Sequence, residues 1–211
     1  MNGDHRQLID DARDWAFKEM ETSAGHDVGH IRRVVANARR LADTEGADLT
    51  VVELAGWMHD VVNLPKDHPE RSQASTMSAK KASAWLRGRL DDERIELVAE
   101  AIRCHSFSAG FTPESLEAKV VSDADNLDAI GAIGIARCFE IGGALGRDMM
   151  AAEDPFCTQR RPDDGTYTVD HFYAKLLKLE ERFYTEAGRR EAQARIEFMQ
   201  QFLLQLEDET S

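Results

Sequence analysis

The side chains of this sequence that could do chemistry are polar residues standing where helical periodicity predicts a buried face. His59-Asp60 follows Leu54, Ala55, Trp57 and Met58 and precedes Val61-Val62. An ionised Asp inside such a run is costly unless a partner compensates it. A divalent cation is one compensator and a buried salt bridge is the other; the dipeptide alone does not choose. His30 opens a helical pattern on the side that continues through Val34 and Leu41, where a satisfied core or capping histidine would also fit. His105 comes three residues after Ile102 and seven after Val98, so it shares their apolar stripe. Asp125 follows Val121 by four residues, Asp128 lies three further on, and Asp123 points elsewhere. These aspartates are flanked by Val120-Val121 and Ala129-Ile130, which fits poorly with a solvated acidic stripe. Separate helices thus each place His or Asp among apolar neighbours. Imidazole nitrogen with carboxylate oxygen suits Mn, Fe, Zn, Co or Ni, and carboxylates with water also admit Mg. No thiolate joins the set, which argues against a structural zinc site.

The elements that must position these groups are helical, since strand signals are nearly absent. The periodicity predicts a first helix over Leu8 to Met20, broken by Thr22 to Asp27, and a second from Val28 to about Ala42. Asp27 can serve as the N-cap of the second helix. Thr50, with Glu53 three residues later, has the form of a capping box for the third. Pro65 and Pro69 mark a loop, and a fourth helix is expected over Arg71 to Leu90. Asp91 or Asp92 caps a fifth, which buries Ile95, Val98, Ala99 and Ile102. A sixth is expected to run unbroken from Glu114 to about Phe139, before an irregular stretch from Gly142 to Thr168. Two closing helices, Val169 to Glu186 and Arg189 to Leu206, are separated at Gly188. No linker composition divides the chain. The expectation is one all-α domain, a helical bundle over residues 1–211. Its metal-site core would cover about residues 26–140, with C-terminal helices 169–206 packed onto it.

Composition narrows the partners. With 42% hydrophobic residues the chain can bury a core. Lys plus Arg number 26 against 39 Asp plus Glu, a formal charge of −13. That excludes broad binding to nucleic-acid polymers or anionic membranes. It leaves open a small anion held by a metal and a few local cations, and it leaves open a homo-oligomer. The three cysteines, Cys104, Cys138 and Cys157, show no CxxC spacing and form no disulfide framework. Met1 to Glu21 contains no apolar signal-like region, and no window approaches the ~18 apolar residues of a membrane span. A cytoplasmic location is expected.

Taken in order, these motifs resemble the HD-domain metal-dependent phosphohydrolase superfamily. The shared order of His, His-Asp and Asp maps to His30 in HIRRV, His59-Asp60 in MHDVV and Asp125 in DADNLDAIGAIGIAR. The likeness is closer to small bacterial members with an HDxxHIxRV opening (here HDVGHIRRV), an HSFS element (His105 to Ser108) and a KLLKL segment (Lys175 to Leu179). The resemblance implies an HD-type helical fold and one divalent ion, Mn foremost, held by His30, His59, Asp60 and Asp125. It also implies a small-molecule nucleotide substrate, cleaved at a phosphoanhydride as in nucleotide pyrophosphohydrolases. Around that set, His105 is the candidate for proton transfer. Lys66 and Arg71 are candidates for clamping phosphates, with Arg160-Arg161 a weaker pair. His26, Asp27 and Asp128 are candidates for orienting the ligands.

Two departures stand out. Several superfamily members carry a Glu three residues after the HD aspartate, where this chain has Asn63, which cannot act as an acid. Related phosphodiesterases have a GYP signature that is missing here, although His68-Pro69 and His105 leave room for a second ion. A nucleotide-sensing or scaffold protein without turnover, and a phosphodiesterase or nucleotidase of different substrate range, are the alternatives.

Overall fold

The computed structural model describes residues 3–21, 28–64, 68–106 and 109–210. Among these residues the secondary structure is helical, with two isolated bridge pairs and no strand, so the fold is all-α as the periodicity predicts. Contacts divide the chain into two compact units, Met1–Asp125 and Asn126–Ser211, with the boundary inside one helix.

The first unit holds α1 (Gly3–Glu21), α2 (Val28–Glu45), α3 (Leu49–Met58), α4 (Ala74–Leu86), α5 (Asp92–His105) and most of α6 (Leu116–Asp128). α3 is its centre, because its apolar residues leave no polar face to solvent. Every residue from Thr50 to Met58 is buried, and α1, α2 and α5 pack around it. α2 presents Ile31, Val34, Val35, Ala38, Leu41 and Ala42, a helical-period stripe.

The third helix is capped differently from the expected Thr50–Glu53 box. Asp48 is the N-cap, its Oδ1 accepting from the Thr50 and Val51 amides at 2.8 and 3.4 Å. Thr50 lies buried in the first turn, and Glu53 is ion-paired with Arg39 of α2. The Asp48 carboxylate also takes Arg94 Nε at 2.8 Å, a contact across 46 residues that local patterning does not carry. α4 is shorter than expected. Arg71–Gln73 is a 3-10 turn before it, and the helix ends at Leu86. Asp91 is the residue that caps α5, through the Arg94 amide at 3.0 Å.

In the second unit the expected unbroken sixth helix is two helices, α6 and α7 (Gly131–Ala144). The break is at Gly131, whose φ of +71° no L-residue adopts cheaply. An added Cβ there would also meet Arg195 side-chain carbons at 3.1 to 3.2 Å, and Arg195 is fixed by donating Nη1 to Leu127 O at 2.6 Å. Gly131→Ala should therefore cost about 1–2 kcal/mol from the left-handed backbone alone, read as a lower urea midpoint with an unchanged slope. An unshifted midpoint would mean that the turn changes conformation freely.

The closing region also differs from expectation. α8 (Asp170–Ala174) and a 3-10 stretch, Leu176–Arg182, replace the penultimate helix, and α9 runs Glu186–Thr210. Gly188 is buried inside α9 rather than breaking it. The start is set by Thr185, whose Oγ1 accepts from the Gly188 amide at 3.0 Å. α9 packs on α7, and Phe139, Phe172 and Phe202 cluster with ring centroids 6.0 to 6.1 Å apart. The three cysteines are free, and among the described residues no helix is long and apolar enough to cross a membrane.

Candidate metal centre

Four helices of the first unit converge on one cluster of imidazoles and carboxylates. His59 terminates α3 and Asp60 sits in the turn that follows. His30 lies in the first turn of α2, His105 is the last residue of α5, and Asp125 lies in α6. Ligand atoms of His30, His59 and Asp60 all fall within 4.8 Å of one another. Asp125 adjoins this triad through His30, with Oδ1 3.3 Å from His30 Nε2. His105 adjoins it through Asp60, with Nε2 3.6 Å from Asp60 Oδ1, and stacks edge-on to His59 with ring centroids 4.7 Å apart.

The histidine tautomers follow from their neighbours. His59 Nδ1 lies 2.9 Å from Gly56 O, and His105 Nδ1 lies 2.6 Å from Ile102 O. A carbonyl only accepts, so each Nδ1 carries the proton and each Nε2 faces the cluster. Burial disfavours charge on His59 and lowers its pKa, so its Nε2 presents a lone pair. That atom is fully buried and has no hydrogen-bond partner.

Burial also works against ionisation of Asp60. The imidazoles around it, His59, His105 and His30, outweigh it and hold the carboxyl well below the usual carboxylate range. Asp125 follows the same pattern, with burial overcome chiefly by its hydrogen bond to His30. For His105 burial lowers the pKa, but the Asp60 carboxylate 3.6 Å away and the charge of Asp125 raise it above the ordinary histidine value. The cluster therefore combines the neutral His59 imidazole with ionised carboxylates. An orphaned, buried imidazole lone pair beside two carboxylates fits a divalent ion of the Mn-to-Zn series. Side chains of Asp60 and Asp125 are 32% and 25% exposed, so the cluster is open to solvent on its carboxylate side.

Other predicted residues are placed elsewhere or not placed at all. His26, Asp27 and Lys66 lie outside the described residues, as do Phe107 and Ser108 of the HSFS element. Arg71 turns inward on its own loop, donating from Nη1 to Asn63 Oδ1 at 2.5 Å and to Leu64 O. Asn63 is thus the anchor of an arginine. His68 accepts from the Glu70 amide at 3.1 Å through Nδ1. Asp128 is buried in the second unit and paired with Arg137 at 2.6 Å. Arg160 is bonded through both Nη atoms to Asp170.

Two residues that the motif reading passed over hold the backbone beside the cluster. Ser78 of α4 is buried; its Oγ accepts from the Val62 amide at 3.0 Å and donates back to Val62 O at 3.3 Å. This fixes the turn after Asp60. Asn37 lies on α2, two turns after His30, and donates from Nδ2 to Ala124 O at 3.3 Å. A polar residue seven positions after a candidate ligand, on the same apolar helix face, was the signal available for Asn37.

Residues 27–130 match the family model described as HD domain. The uncharacterized protein YpgQ of Bacillus subtilis is 33% identical over 187 residues, covering 89% of this chain and 85% of its own length. A solved HD-superfamily hydrolase from Bacillus thuringiensis superposes with a TM-score of 0.78 at 34% identity, covering 97% of both chains. The structure of B. subtilis YpgQ in complex with ADP gives 0.74 at 32% identity, over 98% of this chain and 96% of that one.

Proposed function

Because this chain belongs to the HD-domain phosphohydrolase superfamily, we propose that it is a metal-dependent hydrolase of nucleoside or deoxynucleoside triphosphates, acting at a phosphoanhydride bond. The observation that carries the reading is the buried, unpartnered His59 Nε2 aimed into a cluster of His30, Asp60, Asp125 and His105. A nucleotide ligand is supported by the related YpgQ, which was crystallised with ADP. In this reading residues 1–211 act as one domain, as the near full-length match to the solved relatives suggests.

His30, His59, Asp60 and Asp125 would hold the ion, with Mn the first candidate and Mg, Co, Ni, Fe and Zn admitted by the same donors. A divalent ion bound there supplies Lewis acidity toward a phosphoryl oxygen and toward water. The protein's own groups do the rest. The two carboxylates offset the ion's charge and, being part-exposed, mark the side from which water and phosphate enter. His105 holds a proton at Nε2 against Asp60 and is the group able to pass one to a leaving phosphate oxygen. Asn63, bonded to Arg71, takes no part in proton transfer. Lys66, and the Arg71 N–H groups other than Nη1, are the candidate phosphate donors. His26 and Asp27 are proposed to orient the ligands, and Asp128 is proposed for the same role through its helix.

The test is to strip the protein with chelator and assay it with Mn, Co, Ni or Mg against a nucleotide panel. Release of pyrophosphate or phosphate only with added ion is expected. Ion binding without turnover, together with a nucleotide-raised melting temperature, would favour the non-catalytic sensor that Asn63 suggests. No ion-dependent release and no ion binding would remove both readings.

A further inference from the structure

The ligands of the cluster come from separate helices, so something must set the spacing between α2, which carries His30, and α6, which carries Asp125. Apolar packing is non-directional and sets distance loosely; a hydrogen bond sets it along one line. Asn37 supplies that bond. Its Nδ2 donates to the carbonyl of Ala124, the residue immediately before Asp125, while its backbone stands two turns along α2 from His30. A helix carbonyl has two lone pairs, so Ala124 O accepts this bond beside its ladder bond.

The amide is itself oriented. Arg40, one turn further along α2, donates from Nη2 to Asn37 Oδ1 at 2.7 Å. A guanidinium donates and never accepts, so it fixes the oxygen end of the amide outward and the NH₂ end toward α6. Asn37 is 6% exposed, and Ala124 is fully buried. The bond is therefore shielded from water, where a lost partner is felt most. Asp in place of Asn would point an acceptor at an acceptor, and Leu would fill the volume without the bond.

We propose that Asn37, oriented by Arg40, is a positioning residue for the ion, fixing Asp125 against His30 by tying α2 to the α6 backbone. This rests on the metal-centre reading above. Neither residue touches the ion; both act through the backbone next to a ligand. Outer partners of ligands are worth ~10–100-fold in ion affinity, and Asn37, one step further out, belongs at the lower end.

The experiment titrates the full-length, chelator-stripped protein with Mn²⁺ alone, followed by calorimetry and by the Mn²⁺ electron-spin resonance signal. Thermal unfolding is recorded with and without the ion. Asn37→Leu is expected to weaken Mn²⁺ binding about 10-fold and to shrink the ion-induced rise in melting temperature. The exposed-residue variant Arg40→Ala should weaken it less, about 3-fold, and keeps the test available if Asn37→Leu does not fold. A lower metal-free melting temperature with unchanged Mn²⁺ affinity in either folded variant means that the residue serves only the fold, and overturns the proposal. If the wild-type protein binds no Mn²⁺, the metal-centre reading itself falls, which is seen before any variant is made.

Discussion

His59→Ala should abolish divalent-ion binding while leaving the chelated protein close to wild-type stability. Two opposing effects bring about the second part. Removing a buried imidazole leaves a cavity, which destabilises. It also removes a buried lone pair without a partner, a group whose burial costs roughly 1–3 kcal/mol. The first part follows because Nε2 of His59 is fully buried and has no other partner, and neither neighbouring imidazole can take its place. His105 is held by Ile102 O through Nδ1, and His30 faces Asp125. Loss of a ligand should exceed the ~10–100-fold cost of losing an outer partner, so affinity falls by more than ~100-fold and turnover goes with it. Melting curves with EDTA and with Mn²⁺ give the check. Wild type gains stability from the ion and the variant does not. An equal gain in both would place the ion elsewhere.

The second large effect is expected far from the cluster in sequence. Asp170 is fully buried and accepts both Nη atoms of Arg160 and the Asp163 amide, the latter at 2.6 Å. Arg160 also lies over the Tyr167 ring, 5.2 Å from its centroid. Truncating one partner of such a pair leaves the other uncompensated, at a cost of roughly 3–5 kcal/mol. Asp170→Ala should shift the urea midpoint accordingly. Burial alone would raise the Asp170 pKa. The Arg160 hydrogen bonds and the Asp163 amide overcome this and hold it below the usual carboxylate range. A depressed folded value stabilises the fold above the unfolded pKa of about 3.9 and is lost as pH falls through the folded value. Wild type should therefore lose stability below about pH 4, and Asp170→Asn should show a flatter loss over the same window. A Asp170→Ala protein that unfolds at the wild-type urea concentration would show that the pair adds no net stability.

The helical class could be read from the sequence because it is written in local periodicity, whereas the grouping of His30, His59-Asp60 and Asp125 came from the resemblance to the HD superfamily. A polar residue on an apolar stripe is conspicuous whatever it touches. His105 joined the cluster on the same signal. Other features depended on partners distant in sequence. Asp48 outcompetes Thr50 as a cap partly because Arg94, 46 residues away, holds its second oxygen. The break between α6 and α7 needs Gly131 in a left-handed turn under Arg195, while the apolar run Ala129 to Ile135 reads as helix throughout. Gly188 reads as a breaker yet sits inside α9, because Thr185 supplies a cap three residues earlier. Arg71 and Arg160 carry charge in loops and read as anion donors, but each is bonded to its own chain. Spacing cannot distinguish a cation waiting for a ligand from one that is already paired.

Two of the rings in the cluster share one small device. His59 and His105 each end a helix and each give Nδ1–H to the carbonyl three residues back. The rotational entropy of both side chains is therefore surrendered during folding and not when an ion arrives. Rigid donors discriminate among ions by radius and preferred geometry, whereas mobile ones adapt to each. In the proposed metal centre the choice of ion is thus delegated in part to the helix end that aims His59, while the end that aims His105 sets where its proton is held.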